Sequence, residues 1–180
     1  NWVQKATSYI FYAEEILREM PDAQMVYLLR NPYDICASRK RREPREERVF
    51  AVTYSWNKGL EIAERLQREM PDRFHIVRYE DMVREPDETV RRVFEFTGME
   101  FDPELLDVPH VNRSEAAYTE TSKNRGLNGS RVFYFTGVLN NVEVEAIDQL
   151  VNRSLIRHFY PDLPQMERPA TGMERLRARV

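Results

Sequence analysis

One stretch constrains this chain more than any other. Met25-Val26-Tyr27-Leu28-Leu29 is continuously apolar and is followed at once by Arg30-Asn31-Pro32-Tyr33-Asp34-Ile35-Cys36-Ala37-Ser38. An unbroken apolar run of that length reads as a strand of a parallel sheet covered on both faces. Asn31 is a favoured helix N-cap and Pro32 a favoured first helical residue, so the strand hands over to a helix within two residues. Arg30 then stands at the carboxyl end of a strand, where open α/β sheets bind their ligands, beside the N–H groups of a helix start. A guanidinium offers a two-pronged fork to an anion, and Ser38 adds a hydroxyl further along the same helix. The plain alternative is an Arg30–Asp34 pair at a helix entrance, and this segment alone does not choose between the two.

The flanks continue the alternation. Ser8 to Met20 carries apolar residues at helical spacing, and Pro21-Asp22 stops it before the strand. The helix from Pro32 is predicted to run into Arg39–Arg48, a mixed-charge, proline-interrupted, solvent-facing block. Val52 to Met70 reads as a helix, Pro71-Asp72 stops it, and Phe74 to Tyr79 reads as a second strand. Arg-Glu-Met-Pro-Asp occurs at 18–22 and again at 68–72 with unlike flanks, which is shared helix-ending chemistry and not a repeat. Glu85-Pro86-Asp87 opens a helix through Phe96, with Val90, Val93, Phe94 and Thr97 inward and Gly98 at its end. Pro103 to Ser130 is polar and reads as an extended loop region, a length often tied to function. Glu143 to Phe159 reads as one amphipathic helix, and the Pro- and Arg-rich tail after Pro161 as a surface extension. Helices alternating with strands predict an α/β class, a parallel sheet flanked by helices, with one domain over 1–162 and an extension over 163–180.

Composition narrows the partners. With 180 residues, 42% hydrophobic and 11% aromatic, the chain can bury one sizeable core. A net charge of −3 argues against nucleic-acid binding driven by bulk charge, and no apolar run approaches a membrane span. Cys36 is the single cysteine, so an internal disulfide and a cysteine-rich metal site are both excluded. One thiol suits the cytoplasm without excluding a secretory lumen. The oligomeric state is open.

Four pieces, in order, resemble the sulfotransferases that use 3′-phosphoadenosine 5′-phosphosulfate, and the likeness spans most of residues 5–160. The run at 25–38 is similar to the family's 3′-phosphate signature, which gives Arg30 and Ser38 the grip on that phosphate. Val77-Arg78-Tyr79-Glu80-Asp81-Met82 is similar to the family's Tyr-Glu-Asp-Met strand end, which places Tyr79 near the adenine. Asn124-Arg125-Gly126-Leu127-Asn128-Gly129 resembles the late Arg-Lys-Gly-x-x-Gly loop, so Arg125 and Gly126 would meet the 3′-phosphate from another side. It departs from that pattern at Asn124 and at Ser130-Arg131, where the family usually has a cation and Asp-Trp. Lys5 has the spacing of a family lysine beside the transferring sulfuryl group, but it is followed by Ala6-Thr7 and not by the Thr-His whose histidine is the base. Either the base lies elsewhere or the chain is inactive. His75 and His158 read as packing or surface residues, which leaves His110 as the histidine to test.

The resemblance implies a P-loop-NTPase-like three-layer fold and the donor 3′-phosphoadenosine 5′-phosphosulfate as co-substrate. It also implies adenosine 3′,5′-bisphosphate as product, no metal, and a carbohydrate, lipid or small-molecule acceptor. The family's Gly-rich 5′-phosphosulfate loop has no counterpart in the sequence and is expected upstream of Asn1, so this chain by itself is expected to be inactive. Arg39–Arg48 and Pro103–Lys123 are the candidate acceptor surfaces. The alternatives are a P-loop kinase-like phosphotransferase, which needs a Walker loop and magnesium carboxylates, and a non-catalytic binding protein on the same fold.

Overall fold

The computed structural model describes residues 2–42, 48–108, 126, 127 and 129–164. In chain order the elements are a 3-10 turn at Tyr9–Tyr12, α1 (Ala13–Glu19), β1 (Met25–Leu29), α2 (Pro32–Arg42), α3 (Arg48–Glu69) and β2 (Phe74–Arg78). There follow α4 (Tyr79–Arg84), α5 (Pro86–Thr97), 3-10 turns at Pro103–Leu106, Gly129–Arg131 and Tyr134–Gly137, then α6 (Asn141–Leu150) and α7 (Arg153–Phe159). The chain forms two compact units, residues 1–30 with 56–132, and residues 31–55 with 133–180. Most of the predicted C-terminal extension, residues 165–180, lies outside the described residues. Among those described, no helix is long and apolar enough to cross a membrane.

The first unit holds the sheet, a parallel pair in which Met25 lies opposite Phe74 and Leu29 opposite Arg78. The repeated pentapeptide explains how both strands are fed. At each copy the methionine N–H closes the last helical turn, Met20 to the Ile16 carbonyl at 2.9 Å and Met70 to the Leu66 carbonyl at 2.8 Å. The chain then folds back through Pro-Asp, so that the N–H groups of Ala23 and Arg73 each donate to the methionine carbonyl at 3.0 Å. The Arg73 side chain ties the two connections together, donating to the Leu17 and Met20 carbonyls at 2.8 Å and to the Ala23 carbonyl at 3.2 Å. Shared helix-ending chemistry is thus what aligns the two strands.

Helices cover both faces of β2. Tyr27 points towards α3, whose Gly59 leaves room for it: a Cβ there would sit 3.1 Å from the tyrosine oxygen. His75, of opposite parity, stacks on Phe96 of α5 with ring centroids 5.1 Å apart. On α3 the residues Trp56, Leu60, Ala63 and Leu66 form a buried stripe at helical spacing, each leucine contributing about 2 kcal/mol by leaving water. The expectation that β1 is covered on both faces is not met: Val26 and Leu28 are 42% and 52% exposed. The physical reason is that α5 lies over β2, so the matching face of β1 stays open. At its far end α5 stops as expected, at Gly98, whose φ of 66° is left-handed and therefore suits glycine.

In the second unit, α2 turns Tyr33, Cys36 and Ala37 inward, with the Tyr33 ring 5.1 Å from that of Phe135. The Tyr33 hydroxyl donates to Asp148 of α6 at 2.6 Å, and Lys40 reaches Glu143 at 2.7 Å. Glu143 also completes a capping box with Asn140 at the start of α6. The single helix expected over Glu143–Phe159 is two helices. Val151 is buried in extended conformation, and the Asn152 side chain accepts from the Ser154 and Leu155 N–H groups, which ends α6 and starts α7 afresh.

Candidate functional site

Strand register builds the site in the first unit. Because Leu29 lies opposite Arg78 in a parallel pair, the next residues, Arg30 and Tyr79, leave the sheet side by side. The second strand is one residue shorter than expected, and Tyr79 opens α4 directly after it. The Arg30 guanidinium lies over the Tyr79 ring, its carbon 4.4 Å from the ring centroid. Its Nη2 donates to the Arg131 carbonyl at 2.5 Å. The main chain is held too, since the indole N–H of the buried Trp56 donates to the Arg30 carbonyl at 2.9 Å. The ring face and the carbonyl orient the guanidinium.

The turn that carries Arg131 owes its place to a glycine. Gly129 packs against α4 closely enough that a Cβ would lie 3.3 Å from Cγ1 of Val83. Gly126, the expected phosphate-loop glycine, has a φ of 81°, and its N–H donates to the Val108 carbonyl at 2.8 Å. That left-handed conformation suits glycine. Arg125, Asn124, Asn128 and His110 lie outside the described residues, as do residues 43–47 of the mixed-charge block. Lys5 stands exposed in the first unit before its first element. His75 and His158 pack against Phe96 and Phe159, in keeping with the packing roles expected of them.

The second unit contains Ser38, half-buried on α2, and revises the reading of that helix's start. Asn31 Oδ1 accepts the Asp34 N–H at 2.8 Å, so one of the amides expected to face an anion is capped by the chain itself. Asp34 is fully buried, and its carboxylate accepts from Asn31 Nδ2 at 2.9 Å and from the N–H groups of Phe133 at 2.9 Å and Phe135 at 3.0 Å. Those bonds hold Phe133 at a φ of 53°, a left-handed conformation that a bulky residue adopts only under constraint. Asp34 therefore serves the fold of its own unit.

Two residues of the site escaped the sequence reading. Trp56 was legible only as core, because an amphipathic stripe does not reveal what an indole N–H will meet. Arg131 contributes through its carbonyl, which carries no side-chain signal at all.

The parallel α/β unit thus sets an oriented arginine at the carboxyl end of a strand, the place where open α/β sheets take up their ligands. The family model described as Sulfotransferase family matches residues 1–103, and the chain belongs to that family. Among solved structures it is similar to the sulfotransferase domain from the curacin biosynthetic pathway, at 19% identity and a TM-score of 0.55, over 82% of this chain and 61% of that one. It is also similar to the sulfotransferase domain from the Synechococcus PCC 7002 olefin synthase, at 20% identity and a TM-score of 0.59, over 81% and 56% of the two chains. At such identities the likeness shows the fold, and the chain spans between 56% and 61% of those domains. No curated protein sequence matches it.

Proposed function

We propose that this chain carries the 3′-phosphate and adenosine end of the donor site of a sulfotransferase. The donor is 3′-phosphoadenosine 5′-phosphosulfate, and the acceptor is a hydroxyl or amine of a carbohydrate, lipid or small molecule. One structural neighbour is named for a biosynthetic pathway and the other for an olefin synthase, which favours a small molecule among these acceptors. The observation that carries the reading is the oriented Arg30 guanidinium at the end of β1. A cation held by an aromatic face and a carbonyl matches a phosphate dianion, with which it can form charge-assisted, bidentate bonds.

When bound, the donor supplies a sulfuryl group whose bond to the phosphate oxygen breaks as the acceptor oxygen or nitrogen bonds to sulfur. The residues named here bind and orient its leaving half. Ser38 and Arg125 are given shares in the 3′-phosphate, and Lys5 a place beside the sulfuryl group, by the sequence resemblance alone. Titration calorimetry with adenosine 3′,5′-bisphosphate tests the reading, with micromolar binding expected and its loss expected in Arg30→Ala. A folded protein that binds the bisphosphate equally well with and without Arg30 would sink it.

A further inference from the structure

The sequence resemblance gives Tyr79 to the purine, but the geometry points to a different partner: we infer that Tyr79 is a positioning residue whose ring seats the Arg30 guanidinium and so acts on the 3′-phosphate through that arginine. The inference rests on the donor-site reading above. Three observations carry it. The guanidinium carbon lies 4.4 Å from the Tyr79 centroid, so the ring face it covers is closed to a purine while the arginine is seated. The seating is built into the sheet, because the Leu29–Arg78 register makes Arg30 and Tyr79 adjacent at the strand ends whatever the ligand. Trp56 holds the Arg30 main-chain carbonyl and the Arg131 carbonyl accepts from Nη2, so the backbone and the tip of the guanidinium are both fixed while the ring supports its flat face. A guanidinium supported from below keeps its in-plane N–H groups directed outwards, which is how an arginine presents a fork to a phosphate.

A seat and a purine platform make opposite predictions for ligands that differ only in the base. Calorimetry, direct or by displacement, would compare adenosine 3′,5′-bisphosphate with ribose 3,5-bisphosphate on the unaltered protein, Tyr79→Leu, Arg30→Ala and the double variant. Tyr79→Met replaces the leucine arm if that variant does not fold. If Tyr79 acts through Arg30, removing the ring weakens both ligands by the same factor, about 3- to 30-fold for a cation–π contact of this kind. It then adds nothing in the Arg30→Ala background. Tyr79→Phe, which keeps the face and loses the hydroxyl, binds both ligands as the unaltered protein does. A loss confined to the adenosine ligand, or no loss at all, overturns the inference and leaves the donor site standing. Failure of the unaltered protein to bind adenosine 3′,5′-bisphosphate overturns the donor-site reading and the inference with it.

Discussion

Arg30 and Asp34 stand four positions apart in one signature, yet the structure uses their charges in opposite ways. Asp34, in the second unit, is wholly buried, and its carboxylate is taken up by an asparagine amide and two main-chain N–H groups of its own unit. Arg30, in the first, is half-buried, and its guanidinium is oriented by a ring face and a carbonyl. A buried ion surrounded by donors stabilises a fold, because removing it strands those donors. A guanidinium oriented at the end of a strand stands where open α/β sheets take up their ligands. A short motif can therefore combine one residue that holds the chain with another that serves a ligand, and sequence spacing does not say which is which.

The sharpest way to break this comparison is to exchange the expected consequences. Asp34→Ala is expected to cost about 3 kcal/mol of stability, because it leaves the Phe133 and Phe135 N–H groups without their carboxylate. Urea unfolding measures it, and a cost below about 1 kcal/mol would deny Asp34 its structural role. Arg30→Ala should do the reverse. We expect adenosine 3′,5′-bisphosphate to bind more weakly by about 10- to 100-fold, the worth of charge-assisted hydrogen bonds, with little change in the urea midpoint. If the two variants behaved alike in both assays, the division of labour would fail.

Trp56→Phe probes the link between the core and the ligand side. It keeps an aromatic in the α3 stripe but removes the N–H that holds the Arg30 carbonyl. A loss of about 1 kcal/mol in stability, accompanied by several-fold weaker binding of the bisphosphate, is the expected outcome by the same two assays. Weaker stability with unchanged binding would make Trp56 a core residue and nothing more.

The effect that is smallest at neutral pH is confined to alkaline solution. Burial pushes the Cys36 thiol in the second unit up to about 12, and the Tyr27 hydroxyl in the first unit also up to about 12. A group whose folded pKa is raised keeps its proton better in the fold, so its contribution is whole below the unfolded value and is lost as the pH rises through the folded one. Stability should therefore hold up to the ordinary thiol value of 9.0 and fall as the pH climbs towards 12. Cys36→Ala should flatten the beginning of that fall, before tyrosine joins it, as followed by thermal melting across the alkaline range. An unchanged alkaline slope in that variant would show that the thiol does not report on the fold.

Local signals in the sequence carried most of the architecture. The strand at Met25–Leu29, the helix that Asn31 and Pro32 open, the helix stops at Pro-Asp and the Gly98 terminus all depend on residues within a turn of one another, and they stand where expected. The same local reading joined α6 and α7, because the apolar spacing continues across a break set by the cap at Asn152 and the buried, extended Val151. It also covered β1 on both faces, because an apolar run does not say where a distant helix will settle.

For the site, the sequence by itself determined that an arginine would leave a parallel strand in front of a helix, since strand propensity and capping are properties of neighbouring residues. Only the tertiary structure decided what holds that arginine. Tyr79 reaches it through strand register, Trp56 through an indole on a helix that looks like ordinary core, and Arg131 through a backbone carbonyl. Each is distant in sequence, and a carbonyl is common to every residue. Partners of that kind become visible only when folding brings them within bonding distance.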